Sequence, residues 1–167
     1  MNTQELVDAL TSDKIVNTYF LNVYAFDQLP KRKLAQESWL LVCNCCPAFK
    51  PGIHWIVLFK DAQRKDHIEI FDSYGQHPEL YNLTSFCRRQ GAKHIWYNTR
   101  QLQSLTSSVC IHYCLYCASY RTRGYEMQSI IDSFIPHNKF DRNDRFVFEQ
   151  VIREYNLNER YKYDGIK

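Results

Sequence analysis

Apolar positions in the middle of the chain come in short runs that predict strands. The run Trp39–Cys45 is apolar at almost every position, which is typical of a buried strand. Two more strands are predicted at His54–Phe59 and His67–Asp72, and a short fourth strand at His94–Asn98. Proline and glycine residues follow the first run and mark its end. We therefore expect a sheet in the centre of the chain.

Helix patterns with capping residues flank these strands. The predicted helices are Thr3–Leu10, a short helix capped by Asp13, Glu79–Gln90 closed by Gly91, Val109–Arg123 closed by Gly124, and a last helix from Asp141 or Asn143 to about Tyr155. The segment Val23–Lys33 is predicted to be a loop. This order of elements indicates an α+β fold with an antiparallel or mixed sheet. No repeat or linker divides the chain, so we expect one domain over residues 1–167.

The composition excludes several protein classes. Hydrophobic residues make up 45% of the chain and charged residues 23%, which excludes a disordered or collagen-like protein. No apolar run approaches the roughly 20 residues that a membrane helix needs, and the first residues do not fit a signal peptide. We expect a protein of a reducing compartment, neither secreted nor membrane-spanning. The net charge of +3 permits a nucleic-acid partner but does not require one.

A histidine and an aspartate lie at the ends of the two middle strands. If these strands form a hairpin with Phe59 opposite His67, then His54 lies opposite Asp72. Directly opposed residues have Cβ atoms roughly 5 Å apart. The carboxylate can then accept a hydrogen bond from the imidazole, fix its tautomer and stabilise the imidazolium. The alternative is a pair that only satisfies two strand ends.

One cysteine is predicted at the start of a long helix. Cys110 would lie in the first turn of the helix Val109–Arg123, with Ser107 or Ser108 as the N-cap. The unpaired N–H groups and the macrodipole at this end favour a thiolate and can bind an oxyanion. The rest of the helix is apolar nearly all round, which predicts a buried central helix. Cys110 is therefore either a nucleophile or, like the other cysteines of this helix, a small core residue.

The seven cysteines also raise the question of a metal site. Two groups contain possible zinc ligands: Cys43, Cys45 and Cys46, and Cys110, His112, Cys114 and Cys117. Structural zinc sites usually have paired cysteines on turns, whereas these groups lie along a strand and a helix. We therefore expect no metal. Because the number of cysteines is odd, at least one thiol is free.

Four residues of the types used in nucleophilic catalysis follow one another in the order His, Asp, Gln, Cys. They are His54 followed by Trp55, Asp72 in IEIFDSYG, and Gln103 and Cys110 in QSLTSSVC. This pattern resembles the adenovirus-type (adenain-like) cysteine proteases, which belong to the same superfamily as the Ulp1-type SUMO proteases. In that family a glutamine lies seven residues before the nucleophile, the spacing that separates Gln103 from Cys110. The segments YFLNVYAFDQLP, WLLVCNC and PGIHWIVLF are also similar to the first half of adenain.

The resemblance, which covers roughly residues 4–124, implies a fold and a role for each residue. The fold is papain-like in permuted order, with a mixed β-sheet packed against a central helix that carries the nucleophile. Cys110 is the nucleophile, His54 the general base, and Asp72 the residue that orients His54. The side-chain amide of Gln103 and the backbone N–H of Cys110 form the oxyanion hole. Trp55 either packs beside the active site or is an ordinary core residue.

Two positions depart from the family pattern. Ile111 follows the nucleophile where the family usually has glycine, so its side chain either narrows the cleft or tilts the helix start. Ala92 stands where the adenoviral enzyme has the cysteine that binds its activating peptide. A disulfide-linked activator is therefore not expected, and Cys87 is the nearby alternative.

The resemblance also bears on cofactors. Adenoviral relatives use DNA, and three short basic clusters are either phosphate contacts or plain solvated surface: Lys31–Lys33, Arg88–Arg89, and Arg121 with Arg123. The sequence requires no cofactor. A peptide or DNA is the candidate activator, and no membrane partner is expected.

The resemblance implies a thiol protease, a hydrolase that cleaves precursor capsid or core proteins during virion maturation. It would act in the virion and in the nucleus or cytoplasmic replication site of the host cell. One alternative is a Ulp1-type deconjugating protease that acts on ubiquitin-like modifiers ending in Gly-Gly. Another is a non-catalytic virion interaction protein on the same fold, which only Ile111 supports.

Overall fold

Five strands and six helices make up the fold in a computed structural model, which describes residues 1–136 and 139–157. The strands are β1 (Phe20–Ala25), β2 (Trp39–Asn44), β3 (Trp55–Lys60), β4 (His67–Phe71) and β5 (His94–Tyr97). The helices are α1 (Thr3–Ser12), α2 (Lys14–Tyr19), α3 (Leu83–Arg89), α4 (Cys110–Thr122), α5 (Met127–Asp132) and α6 (Phe140–Glu154). The predicted domain, residues 1–167, extends past the described residues at its end.

The strands form one mixed sheet in the order β1-β2-β3-β4-β5. The three central strands are antiparallel neighbours, and each edge strand pairs in parallel with the strand beside it. The predicted α+β class with a mixed sheet is thereby confirmed. None of the helices in the described ranges is long and apolar enough to cross a membrane.

Strand β3 is buried on both faces, and its alternating side chains contribute to two cores. Val57 and Phe59 pack in a cluster with residues of α1, α4, α5 and α6. Ile56 and Leu58 pack on the opposite face with residues of α3. A strand covered on both faces has an apolar residue at nearly every position, as this one does.

Helix α4 is the centre of the larger core. It contacts β3 and the helices α1, α2, α5 and α6, and nearly all of its side chains are buried. Near its end, Nε of Arg121 donates to Oε2 of Glu69 on β4 at 2.6 Å, and the guanidinium lies 4.4 Å from the centre of the Phe59 ring. This buried ion pair fixes the helix against the sheet. The prediction of a buried central helix that begins near Cys110 is confirmed.

Two predicted elements differ from the structure. The segment Val23–Lys33 is not all loop, because β1 extends to Ala25 as a half-buried edge strand without clear polar alternation. The predicted helix Glu79–Gln90 is divided into the 3₁₀ turn Pro78–Tyr81 and α3. Asn82 between them is left-handed with φ of 56°, a conformation that asparagine tolerates and that no helix continues through.

The helix caps follow the sequence only in part. Asp13 caps α2 as predicted, because its Oδ1 accepts from the N–H groups of Ile15 and Val16. The predicted serine cap of α4 is wrong, since Val109 occupies that position. The predicted start of α6 at Asp141 or Asn143 is also wrong, since the helix begins after Lys139.

Candidate active site

The β3–β4 hairpin sets the position of the first two site residues, and its predicted register is wrong by two positions. Phe59 pairs with Glu69 rather than with His67. The connection between the strands contains a 3₁₀ turn, Ala62–Arg64, which the apolar pattern does not predict. Because side chains alternate with a period of two, a shift of two leaves each side chain on its predicted face.

The structure brings His54 and Asp72 together although the two residues are not directly opposed. His54 lies just before β3 and Asp72 just after β4. Nε2 of His54 is 2.6 Å from Oδ1 of Asp72. The two residues are only 5% and 2% exposed, so the pair is withdrawn from water and its attraction is little screened.

Backbone and side-chain donors hold the Asp72 carboxylate in place. Oδ1 also accepts from the N–H of Tyr74 at 2.8 Å, and Oδ2 accepts from the N–H of Gln76 at 3.1 Å. The Tyr81 hydroxyl donates to Oδ2 at 3.4 Å. The side chain of Asn98 bonds both the N–H and the C=O of Asp72, at 2.9 Å and 2.7 Å. The carboxylate therefore has a fixed orientation toward His54.

The environment of His54 favours its protonated form. Burial by itself lowers the pKa of this imidazole, but the hydrogen bonds and charges of Asp72 and Cys110 outweigh burial and raise the pKa to about 9. Asp72 is bonded to Nε2. Nδ1, which has no other hydrogen-bond partner within the described residues, is the nitrogen left for the Cys110 thiol. The site therefore favours a protonated imidazole at His54.

Cys110 is the first residue of α4 and lies in the core beside the strand that follows His54. Its Sγ is 3.9 Å from the carbonyl oxygen of Ile53. No side chain in the described part of the chain caps α4. The first N–H groups of a helix have no acceptor within the helix. The N–H groups at the start of α4, that of Cys110 among them, are therefore without such an acceptor. Because no serine caps α4, these groups also lack a side-chain acceptor among the described residues.

Gln103 is fully buried and is tied to the residue after Asp72. Its Oε1 accepts from Oγ of Ser73 at 2.7 Å, and its N–H donates to the Ser73 carbonyl at 3.1 Å. Its Nε2 donates to the carbonyl and the hydroxyl of Ser107, at 3.0 Å and 3.2 Å. In this arrangement the amide donors are directed at Ser107, so an oxyanion would have to replace a Ser107 acceptor.

Trp55 and Ile111 both lie in the core. Trp55 belongs to the apolar cluster that contains Cys110, and a Cβ at Gly52 would clash with its indole ring. Ile111 is buried in the same cluster, so its side chain does not line an open cleft. Of the two effects expected for Ile111, only an effect on the start of α4 is compatible with this position.

The remaining cysteines are reduced and do not form a metal site. All seven cysteines are free thiols. Within residues 1–136 and 139–157, no group of three or more His, Cys, Asp or Glu side chains could hold a metal ion. Burial raises the pKa of Cys43 and Cys87 to about 12 and places the pKa values of Cys114 and Cys117 well above the usual range. These thiols remain protonated at neutral pH.

Two of the expected activator contacts do not fit the structure. Arg121 is buried against Glu69, and Arg123 bonds Asp13 at 2.8 Å, so neither guanidinium is a free phosphate contact. Cys87 is fully buried, which leaves its thiol without access to an external peptide.

Sequence reasoning missed Tyr74, Tyr81 and Asn98, and it assigned Ser107 a capping role rather than its contact with Gln103. The first three contact His54 or Asp72 from the following loop and from the end of β5. The turn-forming text DSYG is a local signal for Tyr74, because an aspartate often accepts from the N–H two residues later. Asn98 and Tyr81 reach Asp72 only through the tertiary fold, and no local pattern marks them.

Comparison with known proteins identifies a fold rather than a family. No family model matches the sequence, and no curated protein matches it significantly. The fold is similar to that of the central domain of the uncharacterized Lpg1148 protein from Legionella pneumophila, with a TM-score of 0.53, 11% sequence identity, and coverage of 93% of this chain and 97% of that chain. ChlaDub1 from Chlamydia trachomatis also matches, with a TM-score of 0.45, 14% identity, and coverage of 98% of this chain and 83% of that chain. At such identities the Legionella match shows a shared fold alone.

Proposed function

We propose that the protein is a cysteine endopeptidase with Cys110 as nucleophile, His54 as general base and Asp72 as the residue that orients His54. One observation carries the proposal: Cys110, at a helix start, contributes with Asp72 to the raised pKa of His54, and the buried Asp72 carboxylate holds Nε2 of that imidazole. The order of the four residues in the sequence supports the same roles.

The proposed reaction follows from these positions. The Cys110 thiolate attacks the substrate carbonyl, and the C–S bond forms as the C=O π pair moves onto oxygen. The C–N bond breaks when this tetrahedral intermediate collapses to the thioester. The His54 imidazolium gives its proton to the leaving amine. Water then attacks the thioester while His54 takes a proton from the water. The carboxylic acid leaves as the thiolate is restored. The N–H of Cys110, together with the Gln103 amide once it has turned from Ser107, binds the oxyanion.

For the substrate we propose precursor structural proteins of a virion, in line with the adenain-like residues of the sequence. Proteolysis of short precursor peptides, measured with and without DNA or an activating peptide, tests this choice. Preferential cleavage after Gly-Gly at the end of a folded ubiquitin-like modifier would replace it with the deconjugating activity.

The catalytic proposal is tested by the rate at which each cysteine reacts with iodoacetamide, measured by mass spectrometry. Cys110 should react fast near pH 6, and His54→Ala should abolish this fast phase. The half-buried Cys46 is the internal control, because it follows β2 rather than beginning a helix, and its rate should be the same in the wild type and in His54→Ala. Equal rates at Cys110 and Cys46 in both proteins would refute the thiolate–imidazolium pair.

A further inference from the structure

A small cavity with three lysines lies at the end of β3 opposite to His54. Its volume is about 190 Å³, and Lys33, Lys60 and Lys65 line it together with the segment 34–37. A strand of six residues spans roughly 20 Å, so the cavity is remote from the candidate active site.

Gln90 brings the lysines of distant segments together. Its Oε1 accepts from the N–H of Leu34 at 2.8 Å, and its Nε2 donates to the carbonyl of Arg32 at 3.1 Å. Its own carbonyl accepts from Nζ of Lys60 at 2.9 Å. Because Gln90 is buried, these bonds fix the chain on both sides of Lys33 against the end of β3. The cavity is therefore a built feature rather than a chance approach of surface side chains.

Positive charge exceeds negative charge around this cavity. Lys60 is only 7% exposed, and its hydrogen-bond acceptor is a neutral carbonyl. Lys33 makes no ion pair within the described part of the chain. Lys65 pairs with Glu37, whose Oε1 is 3.5 Å from its Nζ. Three ammonium groups thus face a single carboxylate.

Such an excess is unfavourable without an anion. Burial, and then the charge of Lys33, lower the pKa of Lys60, and the charge of Glu37 offsets them only in part. A desolvated ammonium that is incompletely compensated destabilises the fold, and a multivalent anion between the lysines would reduce this penalty. Lysine is a common point-charge ligand of phosphate groups. The volume is below the roughly 300–1,000 Å³ of pockets for drug-sized ligands, which favours a small anion.

We propose that this cavity binds a phosphate group, either as inorganic phosphate or as part of a small phosphorylated molecule. The site is independent of the proposed protease activity. The cavity adds Lys60 and Lys65 to the basic segment Lys31–Lys33, so that three ammonium groups line one pocket.

Titration calorimetry of the whole protein at constant ionic strength tests the site. Inorganic phosphate, pyrophosphate and a sugar phosphate are the probes, and chloride is the reference anion. We expect saturable binding of phosphate, and Lys33→Gln should weaken it at least fivefold. Lys139→Gln, which removes an exposed lysine from the start of α6, should leave the affinity unchanged. Tighter binding of the sugar phosphate than of inorganic phosphate would identify a metabolite as the source, and the reverse order would identify free phosphate.

Two results would overturn the proposal. One is the absence of saturable binding by all three probes. The other is equal affinity in Lys33→Gln and Lys139→Gln, since binding would then not depend on the cavity. Because Lys33 is exposed, Lys33→Gln is expected to fold, and its melting temperature without phosphate checks this. Cys110→Ala should bind phosphate like the wild type. Phosphate binding can therefore be tested whether or not the protein is a protease.

Discussion

Tyr74 stacks on His54, with ring centroids 4.4 Å apart and an interplanar angle of 27°. Tyr74 lies in the turn that follows β4. Its N–H also donates to Oδ1 of Asp72. The same residue therefore covers the imidazole and orients the carboxylate that binds it. The chain can make both contacts because it turns at Gly75, whose φ of 66° is left-handed and favours glycine.

Removal of the Tyr74 ring should lower the reactivity of Cys110 without unfolding the site. Tyr74→Ala keeps the backbone N–H but loses the stack, which is worth about 0.5–1.5 kcal/mol. We expect Cys110 labelling near pH 6 to slow by about threefold to tenfold, in line with that energy. Tyr74→Phe keeps the ring and should label at the wild-type rate. Equal rates for the alanine and phenylalanine variants would show that the stack has no part in positioning His54.

Asp72→Asn should separate orientation from charge. Asparagine can still accept from one of the two loop N–H groups, but its NH2 then faces the other, and its neutral side chain cannot stabilise an imidazolium. In Ser-His-Asp enzymes this change lowers kcat by about 10⁴, and we expect a loss on the order of 10²–10⁴ here. Asp66→Asn is the matched control, because Asp66 makes a similar 2.8 Å contact with the half-exposed His67. Proteolysis that declined equally in both variants would point to a general loss of stability.

The raised pKa of His54 predicts how stability depends on pH. The folded pKa of about 9 lies above the unfolded value of 6.5, so the folded state holds the proton more tightly. The resulting stabilisation is fully present below pH 6.5 and is lost as pH rises through about 9. Urea unfolding between pH 6 and pH 10 should show this loss in the wild type and a flatter profile in His54→Gln. A wild-type profile as flat as that of the variant would contradict the raised pKa.

His112 should lower the stability of the fold as the pH becomes acid. Burial, and then the positive charge of the amino terminus, lower its pKa to about 4, and neither ring nitrogen has a hydrogen-bond partner in the described residues. Below pH 6.5 the His112 imidazole binds a proton in the unfolded chain but not in the folded chain. Stability therefore falls from pH 6.5 toward pH 4. His112→Leu should reduce this fall and raise the unfolding free energy by about 1–3 kcal/mol. The exposed His94→Leu is the control and should change neither quantity.

The position of Gln103 predicts a specific kinetic signature. If its amide binds the oxyanion, Gln103→Ala should lower kcat by about 10²–10³ and leave KM nearly unchanged. Ser107→Ala removes one of the acceptors that hold the amide, while the Ser107 carbonyl remains. This variant should keep or increase kcat. A normal kcat in Gln103→Ala would assign the side chain to holding Ser73 and Ser107 rather than to catalysis.

Local patterns were sufficient to predict most elements and the approach of His54 to Asp72. The strand alternation determines on which face a side chain lies, and an error of two residues in register does not change that face. The same fact explains why the pattern could not detect the error. Edge strand β1 was missed because its residues are half-buried on both faces, so that no alternation marks it.

The details that complete the site depend on tertiary contacts. Ser107 matches the sequence preference for an N-cap, yet its hydroxyl accepts from Gln103, whose own position is fixed by Ser73. Asn98 reaches Asp72 across 26 residues of chain. No window along the sequence contains both partners of such bonds, and only the packed sheet brings them together.

The packing of α1 and α2 on α4 has a consequence for synthesis of the chain. Leu6, Leu10 and Val16 are covered by a helix that lies about 100 residues later. At a synthesis rate of about 5–20 residues per second, these apolar side chains remain without their partner for roughly 5–20 s. During this interval the first two helices are an exposed amphipathic pair on the ribosome. This transient exposure during synthesis is a source of aggregation that is separate from the stability of the finished fold.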